Sequence, residues 1–272
     1  MRLRTRLYLL VAGTVIPLVA LALVLGALLV DHERDTFQAL TMGRNRAVMS
    51  AVDASLRGHI ASLEALAANS RLSAGDLRGF HAEAQRVLQS QRDWENVILS
   101  EPSGRELLVG VRAYGESLPE DPDPDSLKRA VGTRKATVGN IRRWVSTGRY
   151  AVGVRLPIVD GGRVAYVLSA VVSPAGFLQL IEAQNLPAGW VSGLVDATGH
   201  FIARVPPRSP ADVASPAFRA AAASAPEGWY RGFTVDGADT YSAHMTSALS
   251  RWSLGLAVPS RQVKRSSCPR AW

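Results

Sequence analysis

The side chains that could ligate a metal or act as nucleophiles are few and widely spaced. The one cysteine, Cys268, lies in the last few residues, so an intramolecular disulfide and a cysteine-based metal cluster are both excluded. The sequence has no GxSxG motif, and no pair of acids has a helical spacing that suggests hydrolysis. We therefore expect no catalytic residue, cofactor or metal site, and an unrecognised hydrolase is the least favoured function. No two histidines stand at the close spacing of a zinc site; they are His32, His59, His81, His200 and His244.

The positive charge of the chain is concentrated at its two ends. The formal net charge is +8, from 31 basic and 23 acidic residues. Seven of the 31 basic residues lie in the two ends, which leaves 24 for the rest of the chain against the 23 acids. A nucleic-acid-binding domain concentrates positive charge on its own surface, so we expect no nucleic-acid partner. The seven terminal basic residues are Arg2, Arg4, Arg6, Arg261, Lys264, Arg265 and Arg270.

Residues 7–30 form an apolar segment long enough to cross a membrane. They include no acidic or basic side chain, and as a helix they would extend about 36 Å, against about 30 Å for a bilayer core. A cleaved signal peptide has an apolar core of only about 7–15 residues and a small-x-small cleavage site, which is missing here. Three arginines precede the segment, and Asp31, Glu33 and Asp35 follow it. Because basic residues stay in the cytoplasm, we predict a single-pass anchor with the rest of the chain outside.

A long helix should follow the membrane segment, because residues 31–69 contain no proline and little glycine. A second helix is predicted over residues 76–91, with Asp76 as its N-cap. An apolar stripe along one side of the long helix, here called the seam, either packs against sheets of the same chain or forms the contact of a homodimer. We interpret its histidine as a partly buried residue at a helix contact, not as a ligand. The seam residues follow alternating steps of three and four: Met49, Val52, Leu56, His59, Leu63 and Leu66.

Short strands separated by turn signals fill the rest of the chain and occur in two similar sets. Residues 94–104, "WENVILSEPSG", match residues 190–199, "WVSGLVDATG", because each has a tryptophan before a strand and a polar turn that ends in glycine. In each set a second strand, a helix and three further strands follow. The sequence therefore predicts an α+β fold with two tandem modules, each an antiparallel meander covered by helices on one face.

The order of these segments resembles the double Cache sensor domain, whose two modules have a PAS-like fold. The matching segments include "GDLRGFHAEAQRVL", "WENVILSEPSGRELLV", "YGESLP", "RLPIVDGGRVAYVLSAVVSP", "LPAGWVSGLVDATGHFIAR" and "SRWSLGLAVP". Together with the membrane segment, this match predicts four parts of the chain. They are a cytoplasmic tip and membrane helix (1–30), the long helix with a membrane-distal Cache module (31–186), a membrane-proximal module (187–260) and an irregular basic tail (261–272).

The resemblance implies a ligand-sensing input region in the inner membrane of a bacterium. Sensor histidine kinases of two-component systems are the favoured hosts, with diguanylate cyclases and chemoreceptors as alternatives. The family returns through the membrane after the last strand, whereas this chain continues only with "RQVKRSSCPRAW". A truncated or frameshifted gene is the expected explanation, and no kinase segment follows. A membrane-anchored solute-binding or scaffold protein without signalling output is the alternative function.

The resemblance also implies a ligand site in the distal module. An amino-acid-binding subgroup holds the ligand carboxylate with an arginine and a tryptophan separated by one residue, and a distant acid binds the ammonium group. Arg142 and Trp144 have this spacing, and Tyr150 lies on the next predicted strand. A guanidinium group binds a carboxylate through two parallel hydrogen bonds. The acid is expected within "YVLSAVVS", which has none, so an organic acid or another anion is favoured over an amino acid.

Other interpretations of these residues stay open at the sequence level. Arg142, Arg143 and Trp144 could instead form an exposed strand edge with a cation–π contact. Arg112 and Tyr114 are weaker candidates for the ligand pocket. Asp196 follows a predicted strand and is expected to have a structural role in a turn.

Overall fold

The computed structural model describes residues 2–210 and 212–266 of the 272-residue chain. Its first element, α1, runs over Arg2–Ala67. All six predicted seam residues of α1 are buried, and Met49, Val52 and Leu63 belong to one core cluster with residues of both sheets. The seam is therefore covered within the chain, which is the first of its two predicted uses. His59 is buried as expected and accepts a hydrogen bond at Nδ1 from Trp94 Nε1 over 3.0 Å.

The predicted membrane segment lies in the N-terminal part of α1, where most side chains are outside the described residues. Among the residues that are described, the structure contains no helix both long and apolar enough to span a membrane.

The first sheet contains five antiparallel strands in the order β2-β1-β5-β4-β3. The prediction of a simple meander is wrong, because α4 carries the chain across to the far edge after β2, so β1 pairs with β5. Two short helices precede the sheet, and the second begins after the predicted N-cap Asp76, whose Oδ1 accepts from Gly79 N over 2.9 Å. The elements are α2 (Ser70–Ser73), α3 (Leu77–Ser90), β1 (Trp94–Ser100), β2 (Glu106–Val109), α4 (Pro124–Thr133), β3 (Thr137–Arg143), β4 (Tyr150–Asp160) and β5 (Arg163–Val172).

The second sheet repeats this arrangement, with strand order β7-β6-β10-β9-β8, which confirms the internal repeat. The predicted irregular tail begins instead as a short helix, α7, whose buried Val263 packs in a cluster with Trp190 and Val258. That apolar contact is a reason for the segment to be helical. The rest of the predicted tail, 267–272 with Cys268, lies outside the described residues. The elements are α5 (Ala175–Glu182), β6 (Val191–Val195), β7 (Phe201–Val205), α6 (Pro216–Ser224), β8 (Glu227–Phe233), β9 (Asp239–Thr246), β10 (Ser253–Pro259) and α7 (Ser260–Ser266).

The helix α1 packs against both sheets and joins them into one core. Val52 lies in the same apolar cluster as Leu168 of the first sheet and Leu254 of the second. Polar contacts add to this packing, because Asn45 Nδ2 donates to Leu254 O over 3.2 Å and Ser247 Oγ donates to Asp53 Oδ1 over 2.6 Å. A displacement of either sheet must therefore act on the same helix.

Candidate functional site

The first sheet has two different faces, as strand alternation requires. One face packs on α1 through residues such as Leu99 and Ala170. The other face carries a small separate apolar cluster, and α4 and the loop before it cover this face. The cluster consists of Ile98, Val109, Trp144, Ala151 and Val171, with Leu118 of the covering loop packed against it.

Trp144 is part of this covered face, so its predicted place on an exposed edge is wrong. Its side chain is 1% exposed, and its Nε1 donates to Ala151 O over 3.1 Å. The loop after β3 folds back so that Trp144 N donates to Arg149 O and Gly148 N donates to Trp144 O, which turns the indole onto the sheet. The predicted cation–π contact is also made by a different arginine, because Arg155 lies 5.6 Å from the centre of the Trp144 ring.

Arg155 is the centre of a buried polar cluster that the sequence analysis missed. Its side chain is 1% exposed. Nη2 donates to Asp121 Oδ1 over 2.8 Å and to Asp123 O over 3.1 Å, and Nε donates to Ser126 Oγ over 2.8 Å. Nη1 donates to Ser169 Oγ over 3.2 Å. A buried charge is tolerated when it is paired and its donors are satisfied, and here the pairs fix the loop before α4 to the sheet.

Glu106 of β2 lies beside this cluster in an unfavourable position. Its Oε2 is buried and has no hydrogen-bond partner among the described residues. Burial raises the pKa of Glu106 to about 7, the Asp121 charge adds to the rise, and Arg155 and Arg112 oppose it. Desolvation and a like charge both disfavour the carboxylate form, so Glu106 titrates near neutral pH.

An open polar cleft lies at the end of the sheet where β1 begins and β5 ends. Its volume is about 440 Å³. The lining includes two arginines, Arg92 and Arg149, one acid, Glu95, and the hydroxyl groups of serine and threonine residues. Such a set can hold a small molecule that carries an acid group, since arginine binds carboxylates in a bidentate manner. The lining residues are Arg92, Trp94, Glu95, Val111, Ser146, Thr147, Arg149 and Ser173.

Asn96 holds the segments around the cleft together. It is fully buried, and its Oδ1 accepts from Val111 N over 3.2 Å while its Nδ2 donates to Ser146 Oγ over 3.2 Å. The start of β1, the turn after β2 and the loop between β3 and β4 are thus connected through one side chain. The cleft is therefore shaped before any ligand binds.

The cleft lies next to most of the predicted site residues but is lined by their neighbours in the sequence. Trp144 and Tyr150 flank the loop that contributes Ser146, Thr147 and Arg149, and Tyr150 is 36% exposed. The weaker pair, Arg112 and Tyr114, follows the lining residue Val111. Arg112 Nη1 donates to Ser117 O over 3.0 Å, and the Tyr114 ring lies 5.8 Å from the His81 ring and 5.3 Å from the Arg78 guanidinium carbon.

Arg142 lies at the junction of the two modules and not in the cleft lining. Its Nη1 donates to Ile141 O over 2.8 Å and lies 3.7 Å from Asp196 Oδ2. The structural role predicted for Asp196 is confirmed, because its Oδ1 accepts from Thr198 N over 2.8 Å and from His200 N over 3.0 Å. Its Oδ2 accepts from Ile141 N over 3.0 Å, so this turn of the second module also binds the edge strand of the first.

Several solved structures with a similar fold are described as ligand-binding, sensory or extracellular domains. The ligand-binding domain of the Pseudomonas fluorescens chemoreceptor CtaA, solved with L-isoleucine, has a TM-score of 0.62 and 15% identity over 86% of this chain and 97% of that one. The chain has a double Cache-like fold. The ligand-binding domain of the Pseudomonas aeruginosa PAO1 chemoreceptor PctB, solved with L-Gln, has a TM-score of 0.61 and 15% identity. The match covers 82% of this chain and 91% of that one. The extracellular domain of rpHK1S-Z16, described as a histidine kinase, has a TM-score of 0.57 and 14% identity. The match covers 88% of this chain and 95% of that one.

The sequence itself carries no comparable match. No protein-family model matches the chain, and no curated protein is similar to it. Since the structural identities are all low, the likeness establishes the fold, and the function must be argued from the site and from α1.

Proposed function

We propose that this chain is the extracytoplasmic ligand-sensing region of a bacterial membrane signal-transduction protein, with a sensor histidine kinase as the favoured host. The observation that carries the proposal is the continuity of α1. The same helix contains the apolar segment 7–30 and forms the core with both sheets through residues 48–66. A ligand that shifts the first sheet would therefore move the helix that leads to the membrane.

The proposed ligand is a small molecule with an acid group, held in the cleft of the first module. Arg92 and Arg149 would bind the acid group, and the hydroxyl groups of Ser146 and Thr147 would bind further polar atoms. Trp144, Tyr150, Arg112 and Tyr114 would act by positioning the two segments that border the cleft. Arg142 would connect the ligand-binding loop to the module junction through Asp196.

A ligand screen on the full chain in detergent tests this site. Organic acids and amino acids are screened by thermal shift, and each hit is titrated by calorimetry. We expect Arg92→Ala and Arg149→Ala each to weaken the binding of a hit about tenfold or more, because a hydrogen bond to a charged group contributes about 1.5–3 kcal/mol.

The matched control is Arg163→Ala, which removes an exposed arginine at the turn between β4 and β5, outside the cleft lining. It should leave the affinity unchanged. Hits that bind equally well to the wild type and to both cleft variants would place the ligand elsewhere and overturn the proposed site.

A further inference from the structure

A second, apolar cavity lies in the other module, between the second sheet and α6. Its volume is about 50 Å³. A cavity needs about 10–15 Å³ to hold one water molecule, so this cavity has room for about three to five non-hydrogen atoms. Its walls are largely apolar and include Val195, Phe201, Phe218 and Leu256. An apolar pocket of this size suits a short alkyl chain better than it suits water.

Two paired glycines give the cavity its shape. Gly193 and Gly255 stand opposite each other in the neighbouring strands β6 and β10. A Cβ atom on Gly255 would lie 2.6 Å from the Phe218 ring, and one on Gly193 would lie 3.0 Å from the Phe201 ring. The glycines therefore let both rings lie directly against the sheet, and the two rings form part of the cavity wall.

One buried cation lines this apolar cavity. Arg204 of β7 has a side chain only 3% exposed, and its guanidinium carbon lies 5.7 Å from the centre of the Phe201 ring. Its Nη1 donates to Pro206 O over 2.6 Å, and its Nη2 donates to a carboxylate oxygen of Asp236. A guanidinium group this deeply buried requires an anionic partner.

The anionic partner of Arg204 comes from the surface and not from the sheet. Asp236 lies in the turn between β8 and β9, its side chain is 44% exposed, and it also accepts from Arg208 Nη1 over 2.6 Å. The same turn contributes Thr234 and Val235 to the cavity lining. Because Asp236 keeps a second arginine and contact with water, it can leave Arg204 at little cost when another carboxylate arrives.

We propose that this cavity is a second ligand site, which binds a short-chain monocarboxylate of two or three carbons. The ligand carboxylate would replace that of Asp236 on Arg204, and the alkyl chain would lie against the rings of Phe201 and Phe218. The site is separate from the cleft of the first module and uses none of its residues.

Calorimetric titration of the full chain in detergent with acetate and propionate tests the proposal. We expect saturable binding of at least one acid and none of propionamide, which has the same shape as propionate without its charge. Arg204→Gln should weaken binding about tenfold or more. Asp236→Asn should strengthen binding several-fold, because it removes the carboxylate that competes for Arg204.

Three further variants keep the result interpretable. Ala257→Leu adds bulk to the cavity lining without replacing Arg204 or Asp236, and it should abolish binding even if Arg204→Gln fails to fold. Arg208→Gln removes the second arginine of Asp236 and should weaken binding several-fold, because Asp236 then leaves Arg204 at a higher cost. Arg149→Ala, in the other module, should have no effect, whereas loss of binding in that variant would move the acid to the first cleft. No binding to either the wild type or Asp236→Asn, or unchanged binding in Ala257→Leu, would overturn the proposal.

Discussion

Single buried charges decide how the first sheet responds to pH. Arg155 is satisfied on every side by Asp121, Asp123 O, Ser126 and Ser169, whereas Glu106 next to it has a buried oxygen without a partner in the described part of the chain. The cluster therefore stabilises the charge of Arg155, whereas it disfavours a charge on Glu106. Because the pKa of Glu106 is raised from 4.5 to about 7, the folded chain binds a proton that the unfolded chain has already released at pH 6.

The proton that Glu106 binds in the folded chain contributes to stability. This contribution is present below pH 4.5 and is lost as the pH rises through 7. The shift corresponds to about 3 kcal/mol between the two limits, at 1.36 kcal/mol per unit. We predict that Glu106→Gln, which stays neutral, is more stable than the wild type at pH 8 by up to that amount and nearly equal to it at pH 4. Urea unfolding at both pH values measures the difference, and the exposed Glu116→Gln is the control. An equal gain at both pH values would contradict the titration.

The residues that the sequence analysis missed share one property. Arg155 and Arg204 stand in strands where a charged residue is expected to face water, and their partners lie about 30 residues away in the chain. Local patterns carry no sign of such distant pairs. The Arg142–Trp144 spacing, in contrast, is visible in the sequence, but the direction of each side chain depends on the loop that folds Trp144 back onto the sheet.

Among the elements, the edge strand β3 connects the two modules. An edge strand has unpaired backbone groups on its outer side, and here the second module pairs two of them. Ile141 N donates to Asp196 Oδ2 over 3.0 Å, and Trp252 Nε1 donates to Gly139 O over 3.1 Å. The strand that precedes the proposed ligand-binding loop is thus held directly by the module that follows it.

Replacement of Asp196 should loosen this junction. Asp196→Ala removes the acceptor of Thr198 N, His200 N and Ile141 N, and we predict a loss on the order of 3 kcal/mol in the free energy of unfolding, since each buried donor left without a partner costs about 1–3 kcal/mol. Amide hydrogen exchange should accelerate at Ile141. The exposed Asp160→Ala is the control and should change stability by less than about 0.5 kcal/mol. Unchanged exchange at Ile141 would refute the role of this contact.

The existence of the strands was predictable, but their pairing was not. Alternation and turn residues located β1 to β10 within a few positions, because each strand is a local pattern. The order β2-β1-β5-β4-β3 depends on α4 crossing the sheet, which no local pattern records. The short helices α2 and α7 were missed for a related reason, since α7 is held by contacts of Val263 with Trp190 and Val258 and has no long periodic stripe of its own.

At the scale of the whole molecule, α1 packs against the sheets of both modules. The seam at Met49, Val52, Leu56 and Leu63 was visible in the sequence, and the structure shows that both sheets cover it. Closely packed interiors transmit displacement, because they have little free volume to absorb it. For the proposed sensing function, both modules must lie outside the cytoplasm, and α1 must connect them to the membrane.

Reporter fusions test this central claim most directly, because they need no knowledge of the ligand. Alkaline phosphatase, which is active only outside the cytoplasm, and β-galactosidase, which is active only inside it, are fused in turn after Ser266 and expressed in bacteria. We predict an active phosphatase and an inactive β-galactosidase, and loss of the phosphatase activity when residues 7–30 are deleted. An active β-galactosidase with a silent phosphatase would place both modules in the cytoplasm and contradict the account.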